Sequence, residues 1–152
     1  MNKELVADTS AILDIIIRSR PRHKYAKAVG MYLIDNKIKV TVPMHALFEI
    51  RSAILSAKRG AAESLVPVQI NEDISESTPL LYNPVPIDDA FFNKYFVEGI
   101  PCLKAGDYMY VALAMVEKLD FLTEDPRQYE AAKKAGVSVY SMEEYREKII
   151  HL

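Results

Sequence analysis

The stretch DFLTEDPRQYEAAKKAGVSVYSMEEYREKII, residues 120–150, reads as a strand followed by a helix, and then as a second strand followed by a second helix. DFLT is a short strand, and Asp125 before a proline is an ordinary helix start. That helix ends before Gly136, after which VSVY forms a second strand and Met142 to Ile150 a terminal helix. Strand and helix in alternation predict a parallel sheet covered by helices on both faces.

The same alternation extends toward the N-terminus. The other predicted elements are a strand over Glu4–Ala7, a helix over Ala11–Ile17, a helix from Pro21 to Asp35, a strand over Lys37–Val42, a helix from Pro43 to Gly60, a helix over about 88–97 and a helix over about 105–118. Residues 61–87 read as an irregular insertion with a strand or a hairpin. We therefore expect one three-layer α/β/α domain over residues 1–152 with a mainly parallel central sheet.

Composition excludes several classes of protein. The 152 residues are 50% hydrophobic and 26% charged, as in a globular domain and unlike a disordered chain or a coiled coil. The longest apolar run, Tyr108–Val116, is far short of the roughly 20 residues that cross a bilayer. Asp8 and Asp14 interrupt any signal-peptide core, and Cys102 is the only cysteine. We expect a cytoplasmic protein with no disulfide and no membrane contact.

Basic residues are concentrated near the N-terminus. Residues 1–60 hold 11 Lys and Arg against 5 Asp and Glu, whereas residues 61–152 hold 8 against 16. The run RSRPRHKYAK contains no acid and includes Arg18, Arg20, Arg22, Lys24 and Lys27. Such a cluster could bind phosphates, but a solvated loop and helix face explains it equally well.

Three aspartates stand where the predicted elements meet. Asp8 follows the first strand, Asp125 follows DFLT, and Asp107 lies in the first turn of the helix AGDYMYVALAMV. Helix capping would account for each one alone. In a parallel sheet, however, residues that follow the strands lie along one edge, where such folds bind ligands, so Asp8 and Asp125 should be close together.

Glu49 is a fourth acid in an unusual setting. The segment LFEI places its carboxylate between apolar neighbours on a helix, with no lysine or arginine three or four residues away. His45, Ser52, Ala53 and Ser56 share its face. We expect no local partner, so the carboxylate should reach solvent in a cleft, be protonated or face a cation. An exposed surface glutamate remains the alternative.

The four acids together predict a metal site. If the helices bearing Glu49 and Asp107 point toward the edge where Asp8 and Asp125 lie, four carboxylates converge without matching basic residues. Oxygen ligands without cysteine or paired histidines favour Mg²⁺ or Mn²⁺ over zinc.

The motifs VADTSAI, LFEI, KAGDYMYVALAM and FLTEDPRQYEAAKKAGVSVY, in this order, resemble the PIN-domain ribonucleases, and among them the VapC toxins of prokaryotic toxin–antitoxin operons. The resemblance implies a metal-dependent endoribonuclease with Asp8, Glu49, Asp107 and Asp125 as metal-binding and catalytic residues. It matches Thr9 or Ser10 and Thr123 to the hydroxyls that support the first and last acids. It also implies an RNA substrate, a small VapB-like antitoxin as partner, and a homodimer.

Two departures from the family pattern bear on the pocket and its partners. Residues 61–87 look longer than in a minimal member, and Tyr108 and Tyr110 occupy positions where small residues are common, which predicts a narrower pocket. The aromatic residues Phe91, Phe92, Tyr95 and Phe96 are expected in the core.

Other functions compete with this interpretation. A phosphoaspartyl phosphatase would need a second Asp at Ser10, a receiver domain an acid at Ala7, and no P-loop motif occurs. Two alternatives remain open: a catalytically weak RNA-binding or partner-binding PIN module, and a PIN nuclease that acts in RNA processing outside a toxin system.

Overall fold

The computed structural model describes the backbone of residues 3–63 and 80–152, and the side chains of these residues except 57–63. The elements are β1 (Glu4–Ala7), α1 (Thr9–Ile16), α2 (His23–Asp35), β2 (Lys39–Pro43), α3 (His45–Glu63), β3 (Tyr82–Val85), α4 (Asp89–Tyr95), α5 (Ala105–Glu117), β4 (Phe121–Leu122), α6 (Pro126–Lys134), β5 (Val139–Tyr140) and α7 (Met142–Ile150).

The strands form a parallel sheet in the order β3-β2-β1-β4-β5. β1 is central, and its residues Leu5, Val6 and Ala7 are 1% exposed or less. This unbroken apolar run, without alternation, is typical of a strand covered on both faces. Helices α1, α2 and α7 pack together, as do α4, α5 and α6. The predicted three-layer α/β/α fold is confirmed.

The C-terminal half follows the prediction closely. Asp125 caps α6, and Gly136 follows that helix with a φ of +79°, a left-handed conformation that glycine adopts without strain. Ser141 and Glu144 form a capping box that starts α7 at Met142.

Two predictions need correction, and for residues 61–87 the structure decides between the two alternatives of a strand and a hairpin. Helix α3 continues past Gly60 to Glu63, because glycine inside a helix costs only about 1 kcal/mol relative to alanine and its neighbours are strong helix formers. Within the described part of 61–87, LLYNPV contributes β3, which pairs with β2 in parallel rather than in a hairpin; residues 64–79 lie outside the described residues. Phe92 and Phe96 are 61% and 67% exposed and stack on each other 5.0 Å apart, whereas Phe91 and Tyr95 are buried as expected.

Across residues 3–63 and 80–152, no helix has both the length and the apolar character required to cross a bilayer.

Candidate active site

A cleft of about 980 Å³ lies beyond the carboxyl ends of β1 and β4, and all four predicted acids line it. Asp8 follows β1, Glu49 comes from α3, Asp107 from the first turn of α5, and Asp125 from the start of α6. Strands β1 and β4 are neighbours in the sheet, which explains why Asp8 and Asp125 meet. The structure therefore places Asp8, Glu49, Asp107 and Asp125 on the wall of one cleft.

Asp8 is buried, with 2% of its surface exposed. It caps α1, since its Oδ1 accepts hydrogen bonds of 2.9 Å from the backbone N–H of Ala11 and from the hydroxyl of Ser10. The Thr123 hydroxyl donates to its Oδ2 at 2.6 Å. Burial nevertheless raises the pKa of Asp8 to about 6, with the charge of Asp125 adding to the effect and the hydrogen bonds opposing it. A carboxylate this difficult to ionise gains from a nearby cation.

Asp125 both caps helix α6 and lines the cleft. Its Oδ1 accepts from the backbone N–H of Arg127 at 2.8 Å, and its own N–H donates to the Thr123 hydroxyl at 3.0 Å. Thr123 thus joins Asp8 and Asp125 through one oxygen atom. Of the predicted supporting hydroxyls, Ser10 and Thr123 bind Asp8, whereas Thr9 binds the Tyr110 hydroxyl at 2.9 Å.

Asp107 lies in the first turn of α5. Burial and the charge of Asp125 raise its pKa, in that order of size, and Lys104 and Arg127 are among the groups that oppose the shift. The side-chain amide of Gln128 donates to its Oδ1 at 3.1 Å.

The structure corrects one prediction about Glu49, that it has no local partner. Its side chain is 47% exposed, and its Oε1 lies 3.0 Å from Nε2 of His45, one helical turn earlier. The expectation of no local partner was wrong because only lysine and arginine were considered. The two groups are at ion-pair distance without the alignment of a hydrogen bond, since neither His45 nitrogen has a hydrogen-bond partner among the described residues. The His45 ring packs edge-on against Tyr110, 5.5 Å away.

The basic cluster divides into two parts. Arg20 and Arg22 line the cleft, and each binds an acid through Nε: Arg20 to Asp14 at 2.6 Å and Arg22 to Glu124 at 3.3 Å. Arg18, Lys24 and Lys27 are exposed and do not line this cleft. The run contains no acid in sequence, yet its two cleft arginines find acids in α1 and in the loop before α6.

Several lining residues were not predicted: Lys104, Arg127, Gln128, Glu124 and Cys102. Lys104 precedes Asp107 by three residues, and Arg127 and Gln128 follow Asp125 by two and three. Proximity to the predicted acids was the available signal. Tyr110 lies on the cleft wall, whereas the Tyr108 hydroxyl accepts a hydrogen bond from the backbone N–H of Val97; that the two tyrosines narrow the pocket stays a prediction.

The PIN domain family profile matches residues 5–134. This chain belongs to the PIN domain family. The domain is similar in fold to the crystal structure of PAE2754 from Pyrobaculum aerophilum, with 16% identity, a TM-score of 0.58, and coverage of 98% of this chain and 90% of that chain. No curated protein sequence matches it significantly.

PIN domains are generally nucleases that use divalent metal ions. The donor set of this PIN domain suits such an ion, because it consists of carboxylate oxygens. The pKa values of two of these carboxyl groups, Asp8 and Asp107, are raised, so a nearby cation would favour their charged forms. Within the described residues, no three of the acidic, histidine or cysteine side chains are already grouped closely enough to hold an ion. The cleft therefore matches such an ion in the chemistry of its oxygen donors.

Proposed function

We propose that this chain is a Mg²⁺- or Mn²⁺-dependent endoribonuclease that hydrolyses RNA phosphodiester bonds. The observation that carries the proposal is a buried aspartate, Asp8, facing a cleft that it shares with Asp107 and Asp125. A buried charged carboxylate destabilises the folded state, and a neutral residue would avoid that cost. Its presence is therefore explained if a cation offsets the cost of its charge.

In the proposed mechanism Asp8, Asp107 and Asp125 would hold the cation, and Glu49 would bind it directly or through water. A bound divalent cation would lower the pKa of a water molecule and polarise the phosphodiester. Asp107 or Glu49 orients or deprotonates the attacking water. Glu49 is suited to contact an incoming ligand because its carboxylate is half-exposed on the cleft wall and its only described partner is the poorly aligned His45.

Single-stranded or loop RNA is the proposed substrate. Asp8 is recessed, so a cation bound there would be recessed as well, and the backbone of an unpaired strand could reach it more easily than the rigid backbone of a duplex. Arg20 and Arg22 are proposed to contact its phosphates. Arg20 pairs with Asp14 through Nε. Arg22 pairs with Glu124 through Nε, and its Nη1 lies 4.0 Å from Oδ2 of Asp14, beyond hydrogen-bond length. The terminal nitrogens of both arginines are donors of the kind that phosphate oxygens accept.

Replacing Arg22 by Gln is expected to raise the KM for RNA by about three- to tenfold and to reduce the salt dependence of binding by about one counterion. The kcat should change little, because the side chain is 50% exposed at the cleft and holds no predicted metal ligand. Steady-state cleavage at several salt concentrations measures both effects. Lys27→Gln is the matched control, since Lys27 belongs to the same cluster but lies outside the cleft. Equal KM values for both variants would contradict the role of Arg22.

We further propose a VapC-type toxin that acts as a homodimer and is neutralised by a small VapB-like antitoxin. This proposal rests on the motifs that the chain shares with those toxins. Induced expression should arrest growth of a host cell, and expression of the Asp8→Asn variant should not. A neighbouring small gene for a DNA-binding protein would support it, whereas active nuclease without growth arrest would favour a role in RNA processing.

The decisive experiment for the enzymatic activity uses a defined single-stranded RNA and the DNA of the same sequence. With purified protein and Mn²⁺ or Mg²⁺, we expect cleavage of the RNA, little cleavage of the DNA, and none after addition of EDTA. Cleavage that EDTA does not affect would contradict the metal mechanism. RNA binding without cleavage would favour a binding module.

A further inference from the structure

Gln128 is a buried amide within the acidic cleft. Its side chain is on the cleft wall and the residue is 4% exposed. Its Nε2 donates to Oδ1 of Asp107 at 3.1 Å, and its backbone N–H donates to Oδ1 of Asp125 at 3.3 Å. One residue thus binds two of the four acids, the first through its side chain and the second through its backbone.

The other end of this amide has no partner among the described residues. Oε1 of Gln128 is buried and accepts no hydrogen bond from the described residues. The two ends cannot be exchanged, because an ionised carboxylate only accepts hydrogen bonds and the NH₂ group must therefore face Asp107. A buried carbonyl oxygen without a donor is costly, and leucine would fill a similar volume without that cost. The arrangement indicates that a donor arrives with a ligand.

We propose that Gln128 is a positioning residue, an inference that rests on the proposed function. It holds Asp107 and Asp125 in place relative to each other, and its Oε1 accepts a hydrogen bond from a water molecule that the divalent cation carries into the cleft. Mg²⁺ and Mn²⁺ in such sites retain several water ligands, whose hydrogens are donors. Groups that orient the ligands of a metal are needed for its affinity as well as for catalysis.

The test compares Mn²⁺ binding by the full chain with that of Gln128→Leu, measured by titration calorimetry without RNA. We expect the variant to bind Mn²⁺ about 10- to 100-fold more weakly, as is usual when a residue that orients metal ligands is lost. Its melting temperature in EDTA should be equal to or higher than that of the unmodified protein, because the unpaired oxygen is removed. At saturating RNA the kcat should fall while KM is unchanged.

Two further variants make the result specific. Gln128→Asn keeps an amide but is shorter by one methylene, so it should also weaken Mn²⁺ binding, and it tests the inference if the leucine variant does not fold. Tyr129→Phe is the matched control. It removes a hydrogen bond of 2.9 Å to Glu144 from the next residue of α6, outside the cleft, and should leave Mn²⁺ affinity unchanged.

The outcomes separate this inference from the proposed function. One outcome would overturn the role of Gln128 alone: Asp107→Asn weakens Mn²⁺ binding, but both Gln128 variants bind Mn²⁺ within twofold of the unmodified protein. A loss of stability in EDTA without a change in Mn²⁺ affinity would do the same, since it would indicate a structural role. If the unmodified protein binds no divalent cation, both the inference and the metal mechanism fail.

Discussion

Replacing Asp8 by Asn is expected to reduce RNA cleavage by at least about 10³-fold. The substitution removes the charge of the most buried of the four acids without changing its shape. Stabilisation of the reacting phosphate by a cation is worth several kcal/mol, and about 4 kcal/mol corresponds to roughly 10³ in rate. Single-turnover cleavage with saturating Mn²⁺ measures the loss.

The variant should remain folded, because Asn can keep most of the contacts of Asp8. Its carbonyl oxygen can accept from Ala11 and Ser10 as Oδ1 does now, and its NH₂ can donate to the hydroxyl of Thr123 after that hydroxyl rotates. Asp88→Asn is the matched control. Asp88 caps α4 through the N–H of Phe91 and does not line the cleft, so this variant should cleave normally. More than a tenth of normal activity in Asp8→Asn would contradict the proposed role.

A second large effect is expected in the pH dependence of stability without metal. Asp8 has a pKa of about 6 in the folded protein, whereas an unfolded Asp titrates near 3.9. The folded state therefore binds this proton more tightly than the unfolded state. The free energy of unfolding should rise as pH falls from above 7 through 6 and level off below about 4, with Asp8 contributing roughly 3 kcal/mol.

Denaturant unfolding in EDTA between pH 7.5 and 4 tests this expectation through a comparison with Asp8→Asn. The variant lacks the titrating group, so the stability difference between it and the unmodified protein should change by roughly 2 kcal/mol over that range. Asp88→Asn should follow the unmodified protein. Added Mn²⁺ should stabilise the unmodified protein at pH 7.5 and less at pH 5, where protons compete for the carboxylates. A stability difference that does not depend on pH would show that Asp8 is not desolvated as the fold implies.

The positions of Asp8 and Asp125 could be predicted because they depend on topology alone. Parallel strands place their carboxyl ends at one edge, and both aspartates follow neighbouring strands in the sheet. The interpretation as helix caps and the interpretation as cleft residues are both correct, since both residues cap a helix and line the cleft. That the four acids share one cleft was predictable from the sequence; that they bind metal stays a prediction.

The partners of the charged residues were harder to predict. The pairing of Arg22 with Glu124 joins positions about 100 residues apart, which no local pattern reveals. The hydrogen bond from Gln128 to Asp107 joins two different helices, so no local pattern reveals it either. In contrast, His45 and Glu49 are four residues apart on α3, and their contact was accessible to the sequence.

Burial on short helices was only half predictable. The spacing of Phe91 and Tyr95 places them on the face of α4 that packs on the core. Phe92 follows Phe91 by one position, which rotates it by about 100° around the helix axis into solvent, and Phe96, the residue after the helix, stacks on it there. Aromatic residues clustered in sequence therefore separate into a buried pair and an exposed pair.

Cys102, the sole cysteine of the chain, is exposed on the wall of the cleft. A thiol-directed fluorophore or nitroxide would consequently attach at one place only, beside the acids, without any background substitutions. Paramagnetic Mn²⁺ quenches or broadens the signal of such a label over short distances. Occupancy of the cleft can thus be followed in solution on the native sequence, independently of any turnover assay.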